Sequence, residues 1–249
     1  MRSITTVILL TSMFLSYGQS VIGTSYADKK SFTKTAIKHL KKYAIRSNVA
    51  YMDEDYEQAK FLYDSLVQHC LTGTYLENFK LNTIGKGKLF TEDIDIPMIL
   101  TTNTTWCVLD PTKGEIPALN DVAHTNKKKL KVIALYWGRK EKVEEIAEHY
   151  DENIIVVYVD ERDNRNASLV EAIKHTLGNP VTLFIDKDKK VVSIKRNSEE
   201  VKTSFSDDDE KAYMKYHQWY TDNVGALFSA EGKSTVKSDA VVEVNEEKK

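Results

Sequence analysis

The stretch WCVLDPTKGE, from Trp106 to Glu115, holds the residues best suited to covalent chemistry. Cys107 follows Trp106 directly, behind an apolar run. As a thiolate, a cysteine here would be a nucleophile for disulfide exchange. A dithiol enzyme needs a second thiol to resolve the mixed disulfide. The position three residues on is Asp110, which cannot do this. The chain has one other cysteine, Cys70, on the apolar stripe of an expected helix. Two cysteines allow one pairing. A Cys70–Cys107 bond would stabilise the fold by ~4 kcal/mol in the entropic view. The alternative for Cys70 is a small buried hydrophobe.

The elements around this stretch set its chemistry. IPMILTTNT reads as a buried strand leading to Cys107, and Glu115 to about Lys128 as a helix burying Leu119, Val122 and Ala123. A sulfur between a strand and a helix N-terminus gains from unpaired backbone N–H groups and the helix dipole. Asp110-Pro111 also fits a helix start, as N-cap and first helical residue. On that reading Cys107 lies outside the first turn, and the Asp110 charge opposes thiolate formation.

The remaining elements alternate. KVIALYW and NIIVVYV are strands, KEKVEEIAEHY and ASLVEAIKHTLG are helices, and VTLFIDKDKKVVSI is a hairpin. Short β-prone pieces are expected around IGKGK, whose glycines suit a turn. Two helices precede the sheet, in SFTKTAIKHLKKYAI and EDYEQAKFLYDSLVQHC, and read as an appendage on its core. A last helix begins near Ser206–Asp209 and carries Tyr213, Tyr216, Tyr220, Val224 and Leu227. Its aromatic stripe reads as core packing. Strands alternating with helices, closed by a hairpin, predict an α/β mixed sheet with helices on both faces.

The order TTWC, GEIPALN, then GNPVTLFIDKDKKVV resembles the thioredoxin-like redoxins over roughly residues 73–228. The nearest subgroup is the TlpA-like thiol–disulfide oxidoreductases of the bacterial cell envelope. The resemblance implies a thioredoxin-like fold and makes Cys107 the nucleophile. It implies a cis Asn179-Pro180 bond facing that cysteine, with backbone beside it that pairs an extended substrate. Trp106 would shield the site. No cofactor is implied, and electrons would come from an external thiol reductant. The substrates would be exported proteins or peptides bearing thiols or disulfides.

The chain departs from that pattern. Asp110 stands at the resolving position, and Pro117 follows Cys107 by ten residues where the family places its proline after eight. Two readings therefore stand. One is thiol–disulfide exchange through the single Cys107. The other is a non-catalytic thioredoxin-fold module that binds an extended peptide. A single-cysteine peroxidase is a third: Thr104 lies three residues before Cys107, but Leu100 occupies the place of a required proline.

Other motifs point elsewhere or nowhere. The six histidines make no zinc-like spacing with either cysteine, so no metal site is expected. IGKGK lacks the length of a phosphate loop. Asp160, Glu161 and Asp163 read as a solvated loop. A net charge of −2 with mixed signs argues against nucleic acid as partner.

Arg2, the apolar run Ile4–Leu15 and the small residues Ser16 and Gly18 predict a signal peptide over residues 1–18. The domain order expected is that peptide, a helical segment over 19–72, the thioredoxin-like domain over 73–228 and a disordered charged tail over 229–249. The protein is expected to be exported to the periplasm or cell envelope, or secreted, with no membrane span after cleavage.

Overall fold

The computed structural model describes residues 29–85, 87–105, 113–160, 162, 167–196 and 208–246, the last fourteen of these as backbone. The expected signal peptide lies outside the described residues, as do Trp106, Cys107 and Asp110.

Seven strands form one sheet: β1 Lys80–Thr83, β2 Lys88–Phe90, β3 Met98–Thr104, β4 Lys131–Trp137, β5 Ile154–Val159, β6 Val181–Ile185 and β7 Val191–Lys195. Their spatial order is β2-β1-β5-β4-β3-β6-β7. β3, β4 and β5 run parallel to their neighbours in this group. The β1–β2 and β6–β7 hairpins are antiparallel, as are the β1–β5 and β3–β6 pairings. The sheet is thus mixed, as the sequence predicts.

Successive residues of a strand face opposite sides, so each strand feeds two cores. Met98 and Leu100 pack on one face, and Ile99 between them packs on the other. The first face is covered by α1 (Phe32–Met52), α2 (Tyr56–Leu66) and α5, which starts at Ala167–Leu169 and continues as π-helix over Val170–His175. The second is covered by α3 (Glu115–Asn126), α4 (Lys140–Ala147) and α6 (Asp209–Glu246).

Local sequence explains these helices. The side chains of Ser31 and Asp55 accept hydrogen bonds from Lys34 N and Gln58 N, capping α1 and α2. In α2, Ala59, Leu62, Tyr63 and Leu66 recur at i, i+3, i+4 and i+7 and are all buried. Gly178, at φ +82°, ends the helical stretch before β6.

Two details differ from the sequence reading. The two N-terminal helices are not an appendage: Phe32, Ala36, Tyr63 and Leu66 belong to the same buried cluster as the sheet residues Leu135 and Leu183. The last helix continues to Glu246, through most of the segment whose composition reads as a tail. Charged and small residues suit a solvated helix as well as a tail, so composition alone does not separate the two. Finally, of the two starts the sequence offers, α3 takes the one at Glu115, with Gly114 at its N-cap. Gly114 sits at φ +66°, a turn that suits glycine.

Candidate functional site

In an open α/β sheet, sites gather beyond the carboxyl ends of the parallel strands. Here those ends are Thr104, Trp137 and Val159, aligned across β3, β4 and β5. Cys107 follows Thr104 by three residues, so the chain itself keeps it within about 11 Å of that end. Thr105, just past β3, lies against the β4 terminus: a Cβ added to Gly138 would meet its Cγ2 at 3.4 Å.

On the other flank of β3, β6 runs antiparallel and brings the Asn179-Pro180 segment to the same end. Thr102 pairs with Val181. The Asn179-Pro180 bond is cis, as expected. The Asn179 side chain turns inward. Its Oδ1 accepts a hydrogen bond from Trp137 Nε1 at 2.7 Å and a longer one from Thr102 Oγ1 at 3.4 Å. The Thr102 hydroxyl also donates to the Val181 carbonyl at 3.2 Å. Trp137 is buried. One side-chain oxygen therefore ties β4 and β3 to the residue before Pro180. The sequence reading placed Asn179 by its backbone and missed Trp137 and Thr102. The available signal was a tryptophan closing an apolar strand, which leaves a buried indole N–H in need of an acceptor.

The start of α3 is also occupied. The Glu115 carboxylate accepts a hydrogen bond from Tyr220 Oη at 2.7 Å. Burial and the nearby Glu115 charge push the Tyr220 phenol well above its ordinary range. Lys113 Nζ pairs with Asp209 at 2.9 Å. A Cβ on Gly114 would meet the Tyr216 ring at 3.7 Å. The N-terminal half of α6 thus lies across the first turn of α3. Nearby, the Tyr136 and Tyr150 hydroxyls share a hydrogen bond of 2.8 Å, and burial raises both phenols.

Cys70 carries a free, half-buried thiol packed against the first core. Three residues on, Gly73 N donates to Val191 O at 2.8 Å. Val191 pairs with Ile185, and Ile185 with Met98, the first residue of β3. Cys70 thus lies three residues before a backbone contact to β7, and its expected partner Cys107 lies outside the described residues.

The remaining candidates are plainer. Arg162 Nε donates to Asp160 Oδ1 at 2.9 Å, and this holds the carboxyl at about 2. Glu161 and Asp163 lie outside the described residues. Among the described residues, no group of three or more His, Cys, Asp or Glu side chains could hold a metal ion. No helix among them is long and apolar enough to cross a membrane.

No family model matches the chain. No curated protein matches it either. Solved structures do. The thioredoxin domain of a thiol-disulfide oxidoreductase from Bacteroides vulgatus is 13% identical, with a TM-score of 0.42, over 59% of this chain and 96% of that one. A secreted Mycobacterium tuberculosis disulfide oxidoreductase is 14% identical, with a TM-score of 0.40, over 55% and 93%. The exposed lipoprotein thioredoxin of Streptococcus pneumoniae is 16% identical, with a TM-score of 0.40, over 49% and 90%.

Proposed function

We propose that the protein is an exported thioredoxin-like thiol protein that exchanges disulfides through Cys107 alone. The observation that carries this reading is the juxtaposition at one end of the sheet. β3 leads within three residues to Cys107, and β6 brings Asn179-Pro180 alongside, held by Trp137 and Thr102. This is the arrangement that the motif order TTWC, GEIPALN and GNPVTLFID implies. The apolar run Ile4–Leu15 behind Arg2 supports export.

The chemistry balances without a second thiol in the chain. The Cys107 thiolate attacks a substrate disulfide, forms a mixed disulfide and expels one substrate thiolate. An external low-molecular-weight thiol then attacks the mixed disulfide at the substrate sulfur and expels the Cys107 thiolate. A second external thiol attacks that substrate–donor disulfide, giving the second substrate thiolate and the disulfide of the donor. The substrate disulfide is reduced and two donor thiols are oxidised. Asn179-Pro180 offers backbone to an extended substrate chain, Trp106 shields the sulfur, and Asp110 occupies the place of a resolving thiol.

A second reading is favoured by a specific observation. In the first reading the start of α3 would stabilise a thiolate. Here that turn carries Glu115 and is covered by Tyr216 and Tyr220 of α6. A negative charge at that turn opposes a nearby thiolate. On this reading the protein binds an extended peptide beside Asn179-Pro180 and performs no redox cycle.

The pH dependence of Cys107 alkylation in a Cys70→Ala chain separates the two. Exchange chemistry predicts a midpoint below the free-cysteine value of about 8.5 and turnover of glutathione disulfide or insulin. A midpoint at or above that value, with no turnover, overturns the exchange reading. Mapping disulfides in the wild-type chain purified without reductant tests the Cys70 pairing in the same preparation.

A further inference from the structure

The outward face of α1 changes character along its length. Its first two-thirds carry Lys34, Lys38, Lys41, Lys42 and Arg46, all exposed, and the helix contains no Asp or Glu. Among the described residues, none of these five forms a salt bridge. The final third exposes Ile45 at 57%, Val49 at 53% and Met52 at 84%, at i, i+4 and i+7 on one stripe. The turn into α2 then carries Asp53, Glu54 and Asp55, and the first turn of α2 carries Glu57, all exposed. One surface thus runs basic, apolar, acidic. The opposite face of α1, with Phe32, Ala36, Ser47 and Ala50, is buried in the protein's own cores, so this stripe is not needed for folding.

Such a gradient is complementary to itself when reversed. The apolar stripe of Ile45, Val49 and Met52 has Lys41 and Lys42 before it and the acidic turn Asp53–Asp55 after it. We infer that this face of α1 is a homodimer interface, in which two copies pack α1 antiparallel about a two-fold near Val49. The apolar stripes of the two copies meet at the centre. The Lys41–Arg46 segment of each copy faces the Asp53–Glu57 segment of the other. An isologous contact needs one self-complementary patch and closes at two copies. The charge pattern disfavours a parallel arrangement, which would set lysine against lysine. An anionic membrane surface fits less well, because four carboxylates adjoin the apolar stripe. A single helix face is small beside the roughly 1,200–2,000 Å² of a stable interface, so the contact is expected to be weak and concentration-dependent.

Sedimentation velocity of the full chain across the micromolar range tests this. The wild type is expected to shift from monomer to dimer, and the shift to weaken at high salt. Lys41→Glu with Lys42→Glu, and separately Asp53→Lys with Glu57→Lys, should each weaken self-association by about tenfold or more. An equimolar mixture of the two variants should associate, because each now complements the other. All the substituted side chains are exposed, and circular dichroism checks that both variants fold. Three outcomes overturn the proposal: a wild type that stays monomeric, a dimer that survives in both variants, or a mixture no heavier than its components. Binding of monomeric wild type to phosphatidylglycerol vesicles, lost with Lys41→Glu and Lys42→Glu, would assign the face to a membrane instead.

Discussion

Asn179 is the side chain on which the candidate site most depends for its shape. It accepts the indole N–H of a buried tryptophan at 2.7 Å and backs the segment expected to meet a substrate. Replacing it with alanine leaves Trp137 Nε1 without this acceptor in a place that water reaches poorly. A buried donor left unsatisfied costs about 1–3 kcal/mol. Asn179→Ala should therefore lower the unfolding free energy by that amount, seen as a lower urea midpoint at unchanged slope. Trp137→Phe removes the donor, so adding Asn179→Ala to it should cost clearly less than Asn179→Ala alone. Additive losses would show that the bond contributes nothing. At this scale the sequence was half legible. Pro180 was visible through the resemblance carried by NPVTLFID, since an Asn-Pro pair at a strand start also suits an ordinary trans proline. Trp137 was not, because the contact joins residues 42 apart and no local pattern encodes such proximity.

Among the elements, the pairing of α3 with α6 decides how the start of α3 is used. Tyr220 is fully buried and donates to Glu115 at 2.7 Å, at the first turn of α3. A hydrogen bond to a charged group contributes about 1.5–3 kcal/mol. Tyr220→Phe keeps the ring in the core and removes that bond, so its cost should fall in this range by urea unfolding. An unchanged midpoint would show that the Tyr220 hydroxyl contributes nothing to holding α6 on α3. The elements themselves were largely readable. Short apolar runs mark β3, β4 and β6, and the 59, 62, 63, 66 spacing marks α2. The start of α3 was read at Glu115, where it lies, although Asp110-Pro111 offered a second cap signal; the helix begins after a glycine at positive φ that supplies no side-chain cap. A propensity ranks residues for a role but does not say which of two nearby candidates the tertiary structure takes.

Across the whole molecule, the same logic governs the N-terminal helices. Their sequences are amphipathic, and an amphipathic helix before a sheet can be a separate cap or part of the core. Burial decides it. Phe32 is fully buried and sits in one cluster with Leu71, Leu135, Leu183 and Ile194, which lie on α1, the turn after α2, and three strands. The backbone is continuous with the sheet as well. Phe32 N donates to Tyr75 O at 2.8 Å, and the neighbouring residues Gly73 and Leu76 donate to Val191 O and Lys189 O. Removing the Phe32 side chain should cost about 3–5 kcal/mol. The destabilisation should reach the centre of the sheet. In a chain with Trp137 as its only tryptophan, Phe32→Ala is expected to move the fluorescence and far-ultraviolet circular dichroism transitions together to lower urea, since a single cooperative unit gives coincident transitions by different probes. Phe61→Ala, at a side chain 62% exposed on α2, should move neither by more than about 0.5 kcal/mol. A Phe32→Ala chain in which helicity is lost early while Trp137 unfolds at its original midpoint would show the helices to be a separable appendage. The dimer face would then sit on an element that moves independently of the candidate site, whereas shared cooperativity makes α1 a rigid part of the body that carries it.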